Sequence, residues 1–142
     1  KYNLSVGQPT AEAIKIQVGA AFEQSEEMSM EIQGRDNVSG LPRTVSLNTG
    51  EVVESLKEPL SSIAQVVKSV LSNTPPELAS DIIDRGITLT GGGALLRGMD
   101  QFLTHETGVP VYRADSPMLA VATGAGRALQ DPAILRRVLQ SY

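Results

Sequence analysis

Three consecutive glycines, Gly91, Gly92 and Gly93, follow the β-branched and apolar run Ile87 to Thr90 and precede Ala94, Leu95 and Leu96. Residues without a Cβ tolerate positive φ and let a flat or charged group approach the main chain and a helix N-terminus. The run before them reads as a buried strand, and the spacing of Leu95, Leu96, Met99, Phe102 and Leu103 after them reads as a helix. Strand, bare turn and helix in that order place a ligand crevice at the carboxyl end of the strand. A tight turn with no ligand explains three glycines about equally well. A second pair with chemistry in it is Glu12 and Lys15, spaced i,i+3 and therefore on one side of a predicted helix. A carboxylate accepts from hydroxyls and an ammonium donates to ring nitrogens or hydroxyls. Taken alone, the pair is better explained as an exposed helical ion pair worth roughly 0.2–0.5 kcal/mol.

The elements that must hold these groups follow from pattern. Pro9-Thr-Ala-Glu12 opens a helix with Thr10 as N-cap, Ile14 and Val18 on its apolar side and Gly19 as its stop. Met28, Met30 and Ile32 alternate with polar residues, Thr44 to Leu47 alternate again after Ser39-Gly-Leu-Pro42, and the two strands pair as a hairpin. Asn48 with Glu51 three residues on forms a capping box, so a helix carrying Val52, Val53 and Leu56 starts there. Pro59 interrupts the pattern, and a second helix with Leu60, Ile63, Val67, Val70 and Leu71 on one face is expected after it. A lobe boundary is placed near this proline. Thr74-Pro-Pro-Glu77 starts a further helix with Thr74 as N-cap and Leu78, Ile82 and Ile83 inward. Past the glycines, Gly108 ends a helix and Val109 to Tyr112 forms a strand, parallel to Ile87 to Thr90 through a right-handed crossover. The small residues from Ala120 to Ala128 predict a helix packed closely on the sheet, and Asp131-Pro132 caps a last helix carrying Ile134, Leu135, Val138 and Leu139.

Composition narrows the classes of function. The chain has 142 residues, 41% hydrophobic and 4% aromatic, enough for one domain or two small lobes with an aliphatic core. A net charge of −4 disfavours nucleic-acid binding, which needs a basic stripe. With no cysteine and one histidine, no disulfide framework or thiolate site exists and a histidine-based metal centre has little to draw on. A reducing, cytosolic setting fits. No apolar run approaches the roughly 20 residues of a membrane-spanning helix. The first residue is Lys1, and a piece of a longer protein is expected.

Two stretches carry a family resemblance: Thr10-Ala-Glu-Ala-Ile-Lys15 with Val18-Gly19, and Pro75-Pro-Glu-Leu-Ala-Ser-Asp-Ile through Leu89-Thr-Gly-Gly-Gly-Ala-Leu-Leu-Arg-Gly98. Gly34-Arg-Asp36, Gly40-Leu-Pro42, Glu106-Thr-Gly-Val-Pro-Val111 and Ala120-Val-Ala-Thr-Gly-Ala-Gly-Arg-Ala-Leu129 add to them in order. Together they resemble the MreB family of bacterial actin homologues over nearly all of residues 2 to 130. The resemblance implies an α/β, actin-like ATPase (ribonuclease H-like) fold, present in part. Residues 1 to 57 would be the outer lobe of the second domain, and 58 to 142 the later half of its inner lobe, with the glycine-rich nucleotide turn. By the same resemblance Glu12 and Lys15 contact ribose and base. Gly91, Gly92, Gly93 and Ala94 would floor the adenosine near the α-phosphate, with Leu95 or Leu96 as an apolar wall, although core packing serves those leucines as well.

The family's phosphate hairpins, its metal-handling aspartate and its water-positioning residues lie upstream of the matched segments, and no Asp-x-Gly-Gly-Gly-Thr occurs in the chain. No catalytic or metal-binding residue is therefore assigned; Mg²⁺ would be held elsewhere in an intact protein, and this chain is expected not to hydrolyse ATP alone. Arg97 could reach phosphate or another subunit, but a lone arginine is more often a solvated surface residue and it is assigned no role; His105 is read as an exposed residue near a helix C-terminus. Glu23, Glu26 and Glu27 form a solvated acidic face, on a lobe where actin-like protomers meet. Arg136 and Arg137 belong to a helix expected to pack on its own domain rather than on a membrane. The resemblance implies a cytoplasmic protein that binds ATP or ADP and polymerises with itself along the inner face of the cell membrane. It would work with the cell-wall elongation machinery to fix rod shape. The rivals are a truncated interaction module that self-associates without nucleotide, and an actin-like or chaperone-like ATPase with another role, against which the Pro75 to Gly98 match speaks.

Overall fold

The computed structural model describes residues 1–22, 26–131, 133, 136 and 137. Its first half is an antiparallel sheet carrying two helices. Strand β1 (Leu4–Ser5), helix α1 (Gln8–Val18), β2 (Ser29–Asp36) and β3 (Pro42–Asn48) lead into α2 (Thr49–Ser72). The expected hairpin is there, in the register Ile32 opposite Val45, and the unexpected β1 adds an edge by pairing Leu4 with Asp36. Period-2 alternation puts Ile32 and Val45 on the inner face, where they meet Ile14 and Val18 of α1 and Val52 of α2. The turn is held by Asp36, whose carboxylate accepts from the main-chain N–H groups of Val38 and Ser39 at 2.9 and 2.8 Å and from Arg43 at 3.0 Å. Those donors hold its pKa down to about 2.

Helix α1 starts earlier than its pattern suggests. Gly7 is the N-cap and makes no side-chain cap bond, Pro9 falls in the first turn where its missing N–H costs nothing, and Thr10 lies inside the helix. Gly19 ends it as expected, in extended conformation. Helix α2 opens with the full capping box, Asn48 accepting from Glu51 N at 2.9 Å and Glu51 accepting from Asn48 N at 3.2 Å.

Pro59 does not divide this helix. α2 continues to Ser72 with Pro59 inside it. The reason is that Val52, Leu56, Leu60 and Ala64 fall at i, i+4, i+8 and i+12, one uninterrupted stripe, while Pro59 faces outward. The stripe runs over two cores: Val52 joins the first, Leu60 and Ala64 join a second with Met99, Leu103 and Val111, and Leu56 packs against both. Packing along the stripe outweighs one lost helical hydrogen bond. Ile63 and Val70, expected on the apolar face, are exposed.

In the second half α3 (Pro76–Arg85), β4 (Ile87–Leu89), α4 (Met99–Thr107), β5 (Val111–Arg113) and α5 (Ala120–Gln130) follow. β4 and β5 are parallel, Ile87 opposite Val111, and α4 is the crossover. Gly86, at φ 78°, makes the tight entry: a Cβ there would sit 2.6 Å from the Pro110 carbonyl oxygen. Thr74 does not cap α3; Pro75 occupies that position, and the Thr74 hydroxyl donates to the Val70 carbonyl at 2.8 Å. Leu78 and Ile83 do not face a core, being 56% and 63% exposed. Helix α5 forms but buries no residue, so the expected close packing on the sheet is absent. Both corrections share a cause: sequence pattern reports an apolar face, and no element among the described residues covers it. Glu23 and the terminal positions Pro132, Ile134, Leu135, Val138 and Leu139 lie outside the described residues. No helix among those described is long and apolar enough to cross a membrane.

Candidate nucleotide-binding site

The glycine turn stands at the carboxyl end of β4, where the strand's last residue is tied to β5 by Ala114 N donating to Leu89 O at 3.1 Å. The three glycines differ in what the fold asks of them. Gly91 has φ 79° and ψ 176°, a conformation almost confined to glycine, and its N–H donates to Pro117 O at 2.7 Å. Gly92 and Gly93 have no positive φ, and a Cβ on either would meet no atom within 4 Å. They begin a 3₁₀ turn, Gly92–Leu95, rather than the expected α-helix, which starts after left-handed Gly98 at Met99. Ala94 is buried and Leu95 is 45% exposed, whereas Leu96 packs against the second core. The leucine pair therefore divides, with Leu95 the free apolar surface beside the glycines.

On α1, Lys15 donates to Glu12 at 2.8 Å, and both side chains are about half exposed. They border a groove of about 500 Å³ whose other walls include Tyr2, Glu51 and Leu56, and none of residues 91 to 95 lines it. Glu51, at the head of α2, accepts from Lys1 and, at 2.6 Å, from the Tyr2 hydroxyl. Lys1, then Tyr2 and the Asn48 N–H, lower its pKa to about 2, so Glu51 stays ionised with its charge paired to Lys1 in the same groove.

The α1 pair and the glycine turn thus do not share one cavity; they are joined through Arg97. Its carbonyl accepts from Ala21 N at 2.7 Å in a parallel bridge with Ala20, and its Nε donates to the Gly19 carbonyl at 3.1 Å. Arg97 is half-buried, not the solvated residue its type implies. Nothing in the sequence marks this contact, because its partners lie 78 positions away. His105 is exposed, as expected, with its ring tilted against Phe22. Glu26 and Glu27 are exposed, and among the described residues no group of three histidine, aspartate or glutamate side chains is disposed to hold a metal. The site offers donors, an acceptor and bare backbone. That is equipment for binding.

Comparison with known proteins agrees with the fold. A sequence model of the MreB/Mbl protein family matches residues 1–137. The cell shape-determining protein Mbl of Bacillus subtilis is 51% identical over 131 residues, covering 92% of this chain and 39% of the relative. The cell shape-determining protein MreB of Escherichia coli is 47% identical over 129 residues, 91% of this chain and 37% of the relative. The chain thus spans about two fifths of the length of these relatives. Among solved structures, MreB5 of Spiroplasma citri bound to AMPPNP superposes with a TM-score of 0.89 at 36% identity, over all of this chain and 42% of that one. MamK, in a double helical filament, superposes with a TM-score of 0.72 at 21% identity over 91% of this chain and 39% of MamK, a likeness of fold alone. The architecture is accordingly part of the actin-like ATPase fold. On its sequence and its structure, the chain belongs to the MreB/Mbl family of cell shape-determining proteins.

Proposed function

We propose that this chain supplies the adenosine side of an ATP/ADP site in an actin-like filament protein that directs cell shape. The observation that carries the reading is the pair Gly92 and Gly93: neither backbone conformation nor crowding requires a glycine at either position, so the absent side chains leave room for something other than the protein's own fold. Spiroplasma neighbours that align over the whole chain are bound to AMPPNP and to ADP. Glu12 would accept from ribose hydroxyls, Lys15 would donate to the base or ribose, Gly91 to Ala94 would form the floor, and Leu95 would cover the base. On this reading residues 1–57 would be the outer lobe and 58–142 the partial inner lobe, with Leu56 of α2 packed against both cores and Ala21 reaching into the second.

In an intact protein a bound nucleotide would supply a polyphosphate that, with Mg²⁺, would bridge the two domains. Closing that cleft favours filament contacts, and losing the γ-phosphate weakens the preference. These residues orient the adenosine and exclude water from one side of it. Without metal and phosphate positioning, the chain alone does not hydrolyse ATP. The wider reading is a cytoplasmic filament at the inner face of the membrane, acting with the cell-wall elongation machinery.

Calorimetric titration of ADP into the chain, alongside Glu12→Ala, tests the site. Binding that Glu12→Ala weakens supports it; a folded chain that takes up no ADP refutes it. The exposed apolar residues Leu78, Ile83, Val121 and Leu129 favour a second reading, a self-associating module. Nucleotide-independent dimers in sedimentation would support that reading.

A further inference from the structure

Arg97 holds together the two features on which the nucleotide reading rests. It lies two residues beyond the glycine turn; its side chain holds Gly19, the C-cap of α1, and its main chain holds Ala21 just past the helix. The gripped atom is not a loose one. Gly19, whose carbonyl takes the Arg97 Nε, gives its own N–H to the carbonyls of Ile14 and Lys15 at 3.2 and 3.1 Å, so it moves with the turn that carries Lys15. A Cβ on Gly19 would lie 2.3 Å from the Lys15 carbonyl oxygen, which leaves no slack between the two residues. Ala20, the bridge partner of Arg97, and Ala21, which donates to its carbonyl, are both buried.

The rest of the guanidinium argues that this link is there for geometry rather than for stability. Nη1 lies against the sulfur of Met28, and Nη2 is buried with no hydrogen-bond partner among the described residues. A buried, unpaired N–H of a cation is a net cost, and an unbranched apolar side chain in its place would remove that cost. A half-buried cation that satisfies one strong acceptor and leaves another donor empty is a poor way to fill a core. It is an effective way to hold a helix end at a set distance from a turn.

We propose that Arg97 is a positioning residue that fixes the separation between the Glu12–Lys15 pair and the Gly91–Leu95 turn, and thereby sets how tightly an adenosine nucleotide is held. The inference rests on the nucleotide reading of those two features. Three readouts on Arg97→Met and Arg97→Lys test it: the urea midpoint, amide exchange at Ala21, and the ADP dissociation constant from calorimetry. Arg97→Met is expected to keep or raise the midpoint, to speed Ala21 exchange by about tenfold, and to weaken ADP by about 5- to 150-fold, the range of ordinary coupling between sites. Arg97→Lys, which keeps the charge and one donor, recovers part of the affinity, and it carries the test if Arg97→Met does not fold. A merely structural arginine gives the opposite pattern, a lower midpoint with unchanged ADP affinity, and that result overturns the proposal. Unchanged Ala21 exchange in Arg97→Met overturns it without reference to nucleotide. If the parent chain binds no ADP, the nucleotide reading itself fails, and with it the claim that Arg97 sets affinity, while faster Ala21 exchange would still retain the link between α1 and the turn.

Discussion

Gly92→Val separates a glycine kept for the fold from one kept for a ligand. In the free chain the substitution is nearly neutral. The φ of Gly92 lies outside the left-handed region and its new Cβ meets nothing within 4 Å, so neither the backbone nor the Cβ brings strain. Replacing glycine at a compatible position gains about 0.4–1 kcal/mol by restricting the unfolded chain, and a β-branched residue in a helical turn gives back roughly 0.5 kcal/mol. The sum stays within about 1 kcal/mol of zero. A nucleotide that approaches this backbone meets two methyl groups instead. Losing one main-chain hydrogen bond to a charged group costs about 1.5–3 kcal/mol, which is roughly a 10- to 150-fold loss of affinity. Gly91→Val is the contrasting control. Its φ of 79° with ψ 176° is nearly closed to other residues, so that variant should lose about 1–3 kcal/mol of stability. Urea unfolding and calorimetric titration of ADP on both variants give the needed pair of numbers. If Gly92→Val binds ADP as the parent chain does, or is destabilised as much as Gly91→Val, the claim that the fold leaves this glycine free for a ligand is wrong.

Two further outcomes follow from the structure. Pro59→Ala should stabilise the chain by roughly 2 kcal/mol, because proline within a helix is about 3 kcal/mol worse than alanine and its restriction of the unfolded chain returns only about 0.4–1 kcal/mol; an unchanged or lower urea midpoint would mean that α2 is not continuous at that residue. Acid should also weaken the fold in a defined window. Asp36 and Glu51 are both lowered to about 2, by the Ser39 N–H and Arg43 in one case and by Lys1 and Tyr2 in the other. Their stabilisation is complete above the ordinary values of 3.8 and 4.5 and disappears as pH falls from there through about 2. The midpoint of urea unfolding followed against pH should fall across that window, and Asp36→Asn should flatten its part of the curve.

The local elements of this protein are written in short-range chemistry, which is why they were legible. Asn48 and Glu51 cap α2 reciprocally because a helix start needs acceptors for its free N–H groups, and that need acts over three residues. The alternation around Ile32 and Val45 fixes the hairpin, and the glycine run after Ile87 fixes the β-α-β unit, for the same reason. The family resemblance was also carried by contiguous motifs. The exceptions are instructive because each depends on a neighbour that is distant in sequence. Pro59 should stop a helix by propensity alone, but the Val52 to Ala64 stripe bridges two cores, and burial over three turns exceeds the penalty at one residue. Leu78 and Ile83 have the right spacing for an inward face, yet no described residue covers them. Gly91 and Gly92 are identical as letters, yet only the folded backbone shows that one is required by φ and the other is not. Arg97 looked like a surface arginine until the chain brought Gly19 to its Nε. Spacing encodes what a residue can do; which groups it meets depends on closing loops of many residues, and no local pattern records that.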